Sequence, residues 1–342
     1  MADEASGKEQ GGGCLVKSVG VNVVALVVYG CSAWFVTQAM PESLGARALV
    51  GACVGLLAAG LVSALSILCV SKEEARLWWG ALPLAAAVLW YVYYTQNPDP
   101  ELGLCVCEPL CCCARKYSVL LTIALWTVWL AASGRQGRCC YGPAAPESES
   151  ASADPAAKVV LLDCLLPPLQ LGFALLPVWG AMRSVALSGP VDLLGALLAL
   201  GALVFGVRAT RQLGLHRRDC GGAQVALRTG IFAWCRHPDY LADILFWLGQ
   251  ALLGLGGTAA SETSRVAGGT WSNWWAVAIG WPVFAALTVF VAVPRARERA
   301  AARVSGYEDY AREVPALLMR KPKQQPKDQA GAVVNIEGKG AP

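Results

Sequence analysis

The chain has 342 residues, of which 56% are Ala, Val, Ile, Leu, Met, Phe, Trp, Tyr or Cys and only 15% are charged, with 36 glycines besides. Its mean hydropathy is +0.47. Soluble domains keep a large polar surface, with about a quarter of their residues charged. The composition therefore excludes a secreted mini-protein, a disordered chain, a coiled coil and a nucleic-acid-binding module. The expected fold class is all-α, a polytopic integral membrane helical bundle.

In chain order, residues 1–18 form a polar N-terminal tail. Its first 13 residues are acidic and lack a cationic leader, so the first apolar run reads as a signal anchor rather than a cleaved peptide. A membrane-crossing helix needs about 20 mostly apolar residues. Runs at 19–38, 48–70, 77–95 and 117–134 meet this and build a four-helix N-terminal half, 19–134. A Pro/Ser/Glu-rich linker follows at 135–158. The second half, 159–320, holds runs at 159–182, 185–207 and 271–294, and a shorter one at 241–257 that carries Asp243 and Gln250. Residues 321–342, rich in Pro, Lys and Gln, read as a disordered tail.

Eight spans place 23 of the 28 lysines and arginines on the side that holds both termini. The positive-inside rule makes that side cytoplasmic.

Polar residues concentrate in two cytoplasmic stretches. Arg208–Asp243 holds six arginines and both histidines of the chain, His216 and His237. The other stretch, Arg295–Pro315, contains Arg295, Glu298, Arg299 and Arg303 at helical spacing, then Tyr307, Glu308 and Tyr310. A basic helix lying on anionic headgroups would share the arginines but does not require the tyrosines. From Pro238, a good first-turn residue, Tyr240, Asp243, Trp247 and Gln250 recur every three or four residues and share one helical stripe. A carboxylate within a span costs roughly 2.5–3.5 kcal/mol on insertion scales, so Asp243 is expected to face a polar pocket or a partner. Asp163 and Asp192 raise the same question. Each is expected to meet an arginine of the cytoplasmic loop or to help form a substrate cavity.

The cysteine cluster Cys105, Cys107, Cys111, Cys112 and Cys113 has neither a clean C-x2-C spacing nor a nearby histidine. It reads as structural or modified cysteine, with no metal site. The glycine pairs near 254–257 and 268–269 lack the strand–turn–helix setting of a dinucleotide fingerprint and read as turns.

The run TGIFAWCRHPDYLADILFWLGQALLG, Thr229–Gly254, resembles the R-H-P-x-Y-x-x-E signature of the membrane-embedded steroid 5-alpha-reductase-like family. VAVPRARERAAARVSGYEDYAREVP is similar to that family's C-terminal pattern, P-x-x-E-x-R followed by G-Y-x-x-Y. The likeness spans roughly 194–322 and leaves the first four spans unmatched.

The resemblance implies an enzyme of the endoplasmic reticulum membrane, with a plastid membrane as the other option. Such an enzyme binds NADPH between its C-terminal helices and reduces a carbon–carbon double bond of a lipid or sterol-like enone. By position it implies catalytic roles for Tyr240 and Asp243, and cofactor contacts from Gln212, Arg236, His237, Asp239, Glu298 and Arg299. Three positions depart from the pattern: Asp239 replaces an asparagine, Asp243 a glutamate, and Thr210 a common aspartate.

Isoprenylcysteine carboxyl methyltransferases carry a related R-H-P-x-Y run and bind S-adenosylmethionine. They usually show a paired Glu-Glu where this chain has Glu298 between two arginines. An S-adenosylmethionine-dependent methyltransferase is thus the second reading. The third is a non-enzymatic membrane scaffold or lipid-binding protein.

Overall fold

The computed structural model describes residues 83–92, 95, 109–134, 166–183, 189–220, 225–263, 274–301, 304 and 306–319. The N-terminal tail, the spans expected at 19–38 and 48–70, the linker 135–158, Asp163, the loop around Arg265 and the tail 321–342 lie outside these residues. So do the side chains of the Cys105–Cys113 cluster.

The described residues form helices joined by turns and short loops, with an isolated bridge position at Val225. In chain order they are α1 (Pro83–Val92), α2 (Pro109–Gly134), α3 (Leu166–Arg183), α4 (Pro190–Asp219), a 3-10 turn (Gly230–Ala233) and α5 (Pro238–Thr263). Then come α6 (Trp274–Leu287), a π-helical segment (Thr288–Ala292), α7 (Val293–Ala301) and α8 (Tyr307–Glu313). Among the described residues, two stretches are long and apolar enough to cross a membrane, Pro190–His216 and Ala278–Glu298. The π segment ends two residues before Pro294, which has no N–H for the helical ladder and whose ring crowds the carbonyl four residues back.

α4 shows the packing of a lipid-facing helix. Leu193, Leu197, Leu200, Val204 and Val207 follow one another at three- and four-residue steps and are all exposed, while Ala199, Ala202 and Leu203 are buried. In water such an apolar outer stripe would be a liability, whereas in hydrocarbon it is the solvated face. The inner face is made of small residues, which lets α4 and α5 approach backbone to backbone. A Cβ on Gly195 would lie 2.7 Å from the Gly249 carbonyl oxygen, and one on Gly249 would lie 2.7 Å from the Ala199 nitrogen. Without a hydrophobic drive between helices in lipid, such close van der Waals contact is what holds them together.

The pairings fix the helix directions. Gly195 meets Gly249 while Gly206 meets Ala242, so α4 and α5 are antiparallel. Arg115 meets Asp192 and Trp129 meets Thr210, so α2 and α4 run parallel.

Two structural findings alter the expected layout. α4 continues about three turns past the apolar run that ends at 207, so the first part of the polar stretch, with Gln212 and His216, is helical. Asp192 meets no arginine of the cytoplasmic stretch. Instead the Arg115 guanidinium of α2 grips it with two bonds, Nε to Oδ1 at 2.6 Å and Nη2 to Oδ2 at 2.8 Å. The Gly189 N–H donates to Oδ2 as well, at 2.7 Å, which caps α4. Both side chains are nearly sealed from solvent, at 1% and 7% exposure. This pair closes the end of the bundle opposite to the two histidines.

Candidate functional site: the loop before α5 and its C-terminal strap

The segment Thr229–His237 links the end of α4 to the start of α5, and it is held from two directions. On the α4 side, Gln212 Nε2 donates to the Thr229 carbonyl at 2.8 Å, and its Oε1 accepts from the Ile231 N–H at 3.2 Å. Gly230 between them has φ +60°, a left-handed conformation that side chains resist, and a Cβ there would overlap the Gln212 amide. Gln212 thus clamps the turn with both ends of its amide.

On the other side lies the chain's C-terminal strap. The Arg236 N–H donates to the Pro315 carbonyl and the His237 N–H to the Ala316 carbonyl, each at 3.0 Å. The Cys235 thiol donates to the same Ala316 oxygen at 3.2 Å. Burial pushes that thiol up to about 12, so it remains protonated and is no nucleophile.

Helix α8 fastens the strap. The Tyr310 hydroxyl donates to the Phe232 carbonyl at 2.7 Å. The Tyr307 hydroxyl lies 3.4 Å from Nε2 of His237. Arg228 bonds Glu313 at 3.1 Å and the Gly306 carbonyl at 3.3 Å, and its guanidinium lies over the Tyr310 ring. Arg297 of α7 reaches Glu308 of α8 at 2.9 Å. The two exposed ion pairs add little energy individually. The buried tyrosine contacts and the three bonds to Pro315 and Ala316 fix the strap.

Within this frame Arg236 is 8% exposed. Among the described residues, its buried Nε and Nη1 atoms find no hydrogen-bond partner. A buried, unsatisfied guanidinium is costly, and a charge-assisted bond to a phosphate or carboxylate is the usual remedy. His237 is sealed at 1% exposure, and its ring meets Tyr240 edge-on with centroids 5.7 Å apart. Burial, and then the neighbouring Arg236 charge, push its imidazole down to about 4, so the ring is neutral at pH 7.

The stripe on α5 faces α2. Asp243 accepts a hydrogen bond from Trp126 Nε1 at 3.1 Å, and Gln250 Nε2 donates to Thr122 at 2.9 Å. Trp126 stacks on Phe246 and meets Trp247 edge-on. From Tyr240 to Gln250 the stripe descends about 15 Å, roughly half the hydrocarbon core. Asp243 is thereby tied to the N-terminal half of the chain, through a tryptophan that sequence reasoning did not single out.

Arg236, His237, Asp239, Tyr240 and Asp243 stand together, on the loop and the first two turns of α5, with Gln212 underneath. Asp239, Tyr240 and Asp243 are half-buried. Glu298 is exposed on α7, and the side chain of Arg299 lies outside the described residues. Thr210 accepts from Trp129 Nε1 at 3.3 Å and donates to the Gly206 carbonyl. Among the described residues no group of three metal-ligating side chains is found.

No curated protein and no solved structure matches the chain. Residues 169–314, a stretch that contains every one of these candidate residues, are similar to the family described as "Protein of unknown function (DUF1295)".

Proposed function

We propose that the protein is a membrane-embedded oxidoreductase that uses NADPH to reduce a carbon–carbon double bond of a lipid or sterol-like enone. The observation that carries this reading is Arg236, buried in a loop secured from both sides, with two buried guanidinium nitrogens that have no hydrogen-bond partner among the described residues and that an anionic ligand would satisfy. The likeness of Thr229–Gly254 to the steroid 5-alpha-reductase-like signature supports the same assignment. A phosphate fits this donor set, because guanidinium offers planar, charge-assisted bonds to phosphate oxygens.

Arg236 would hold a cofactor phosphate, with the neutral His237 ring beside it. Glu298 and Arg299 would add contacts from α7. When bound, NADPH supplies the hydride. The half-buried Tyr240 can donate its hydroxyl proton to a substrate carbonyl, which lowers electron density at the double bond conjugated to it. Asp243, which accepts a hydrogen bond from Trp126, would orient that polar end. Below Asp243 the α2–α5 seam turns aromatic, with Trp126, Phe246 and Trp247 buried against one another.

The test is thermal stabilisation of the purified, detergent-solubilised protein by saturating NADPH against saturating S-adenosylmethionine. A ligand that binds only the folded state raises the melting temperature. NADPH alone is expected to do so, and Arg236→Lys is expected to weaken its binding at least tenfold, because a point-like ammonium cannot replace the fork. A shift with S-adenosylmethionine alone would make the protein a methyltransferase. With neither, the scaffold or lipid-binding reading replaces the enzyme. Where NADPH binds, Asp243→Ala should abolish reduction of lipid enones while leaving the fold intact, and wild-type turnover would overturn the site assignment.

A further inference from the structure

Tyr307 contacts the candidate site but is not among the residues given a catalytic or cofactor-binding role. It is the first residue of α8, 1% exposed, and follows Gly306, whose φ of +69° turns the chain sharply into that helix. Arg228 holds the Gly306 carbonyl, and Tyr310, one turn along, anchors the helix to Phe232. The Tyr307 hydroxyl is therefore delivered by fixed backbone to within 3.4 Å of His237 Nε2.

A phenol keeps its proton at neutral pH, and the neutral imidazole has one donor and one acceptor nitrogen. With Tyr307 donating, Nε2 is the acceptor and the ring proton resides on Nδ1.

We propose that Tyr307 is a positioning residue of the Arg236 anion site: by donating to Nε2 it holds His237 in the Nδ1–H tautomer and fixes the ring beside the guanidinium. The inference rests on the reading of this loop as the site for the cofactor's anionic groups, and it adds a device that readies the loop before ligand arrives. Tyr310 is the internal contrast. It lies on the same helix and is equally buried, with its ring 5.9 Å from that of Tyr307, but its hydroxyl meets a backbone carbonyl instead of the imidazole. If the role of Tyr307 were only to pack α8, the two tyrosines would be equivalent.

The chain has only two histidines, so full-length protein labelled with 15N-histidine shows two imidazoles, and His216→Gln assigns the second. In the wild type His237 is expected to carry its proton on Nδ1 from pH 5.5 to 8. Tyr307→Phe should mix the tautomers and lower NADPH affinity about 3- to 10-fold, since only the fraction of protein in the competent state binds. Tyr310→Phe should lower the melting temperature and leave the His237 resonances unchanged. Three results would overturn the proposal: a wild-type proton on Nε2, unchanged resonances in Tyr307→Phe, or equal shifts from both tyrosine variants. Should NADPH not bind the wild type, the functional reading fails on its own. The resonances are recorded without ligand and still decide the tautomer, and pyrophosphate then serves as the anion for the affinity arm, where equal binding by wild type and Tyr307→Phe counts against the proposal.

Discussion

His237 shows how one side chain links folding to pH. Its imidazole titrates near 6.5 in an unfolded chain, and burial with the adjacent Arg236 charge lowers this to about 4 in the fold. Between those values the unfolded chain binds the extra proton, so stability rises with pH through that window. The contribution is complete above pH 6.5 and is lost as pH falls toward 4. It amounts to at most about 3 kcal/mol by the usual conversion of a pKa difference. Melting curves of wild type and His237→Gln between pH 7.5 and 4.5 check this, with a steeper acid decline expected in the wild type. Parallel curves would show that His237 is not the group responsible. Arg236 and His237 stood out in the sequence because arginines and histidines are scarce in an apolar chain. Their state could not be read there, since it depends on the Pro315 and Ala316 carbonyls some 80 residues away.

At the scale of helices, the Arg115–Asp192 pair is a buried ion pair that ties the N-terminal half to the second half. Burial of two charges is offset only when both are present and fully bonded. Arg115→Met strands the Asp192 carboxylate and should destabilise the protein by about 3–5 kcal/mol, while Arg115→Met with Asp192→Leu should recover most of that loss. Thermal melting of the single and double variants decides the point, and a double variant no better than the single one would count against it. Asp192 was conspicuous in the sequence as an acid near a span, but its partner was not. Arg115 lies 77 residues away on another helix, and nothing in local spacing connects them. The Gly195–Gly249 crossing has the same character. Small residues at four-residue steps mark a helix that can pack closely, but not the helix it packs against.

Across the whole molecule, the directions of α2, α4 and α5 bear on topology. A chain that crosses the membrane eight times runs its fourth and sixth spans one way and its seventh the other, and α2, α4 and α5 are so arranged. The full count rests on residues 19–38 and 48–70, which lie outside the described ones. An impermeant thiol reagent applied from the cytoplasmic face should label a cysteine placed in the tail 321–342 and leave Arg265→Cys unlabelled. Labelling of position 265 from that face would overturn the eight-span arrangement.

Composition was enough to point to an apolar, helical chain suited to a membrane, because a solvent without hydrogen-bonding capacity forces backbone bonds inside each helix. Rarity was enough to pick out Arg236, His237, Tyr240 and Asp243, because polar groups near hydrocarbon persist only where something compensates them. The tertiary structure alone decided what compensates each one: Trp126 for Asp243, Tyr307 for His237, Arg115 for Asp192, and for two nitrogens of Arg236 no partner among the described residues. Those partners come from helices distant in sequence, brought together by packing whose register depends on every residue along the seam. The need for a partner is a local property of the chain, while the partner's identity is set only when the bundle closes.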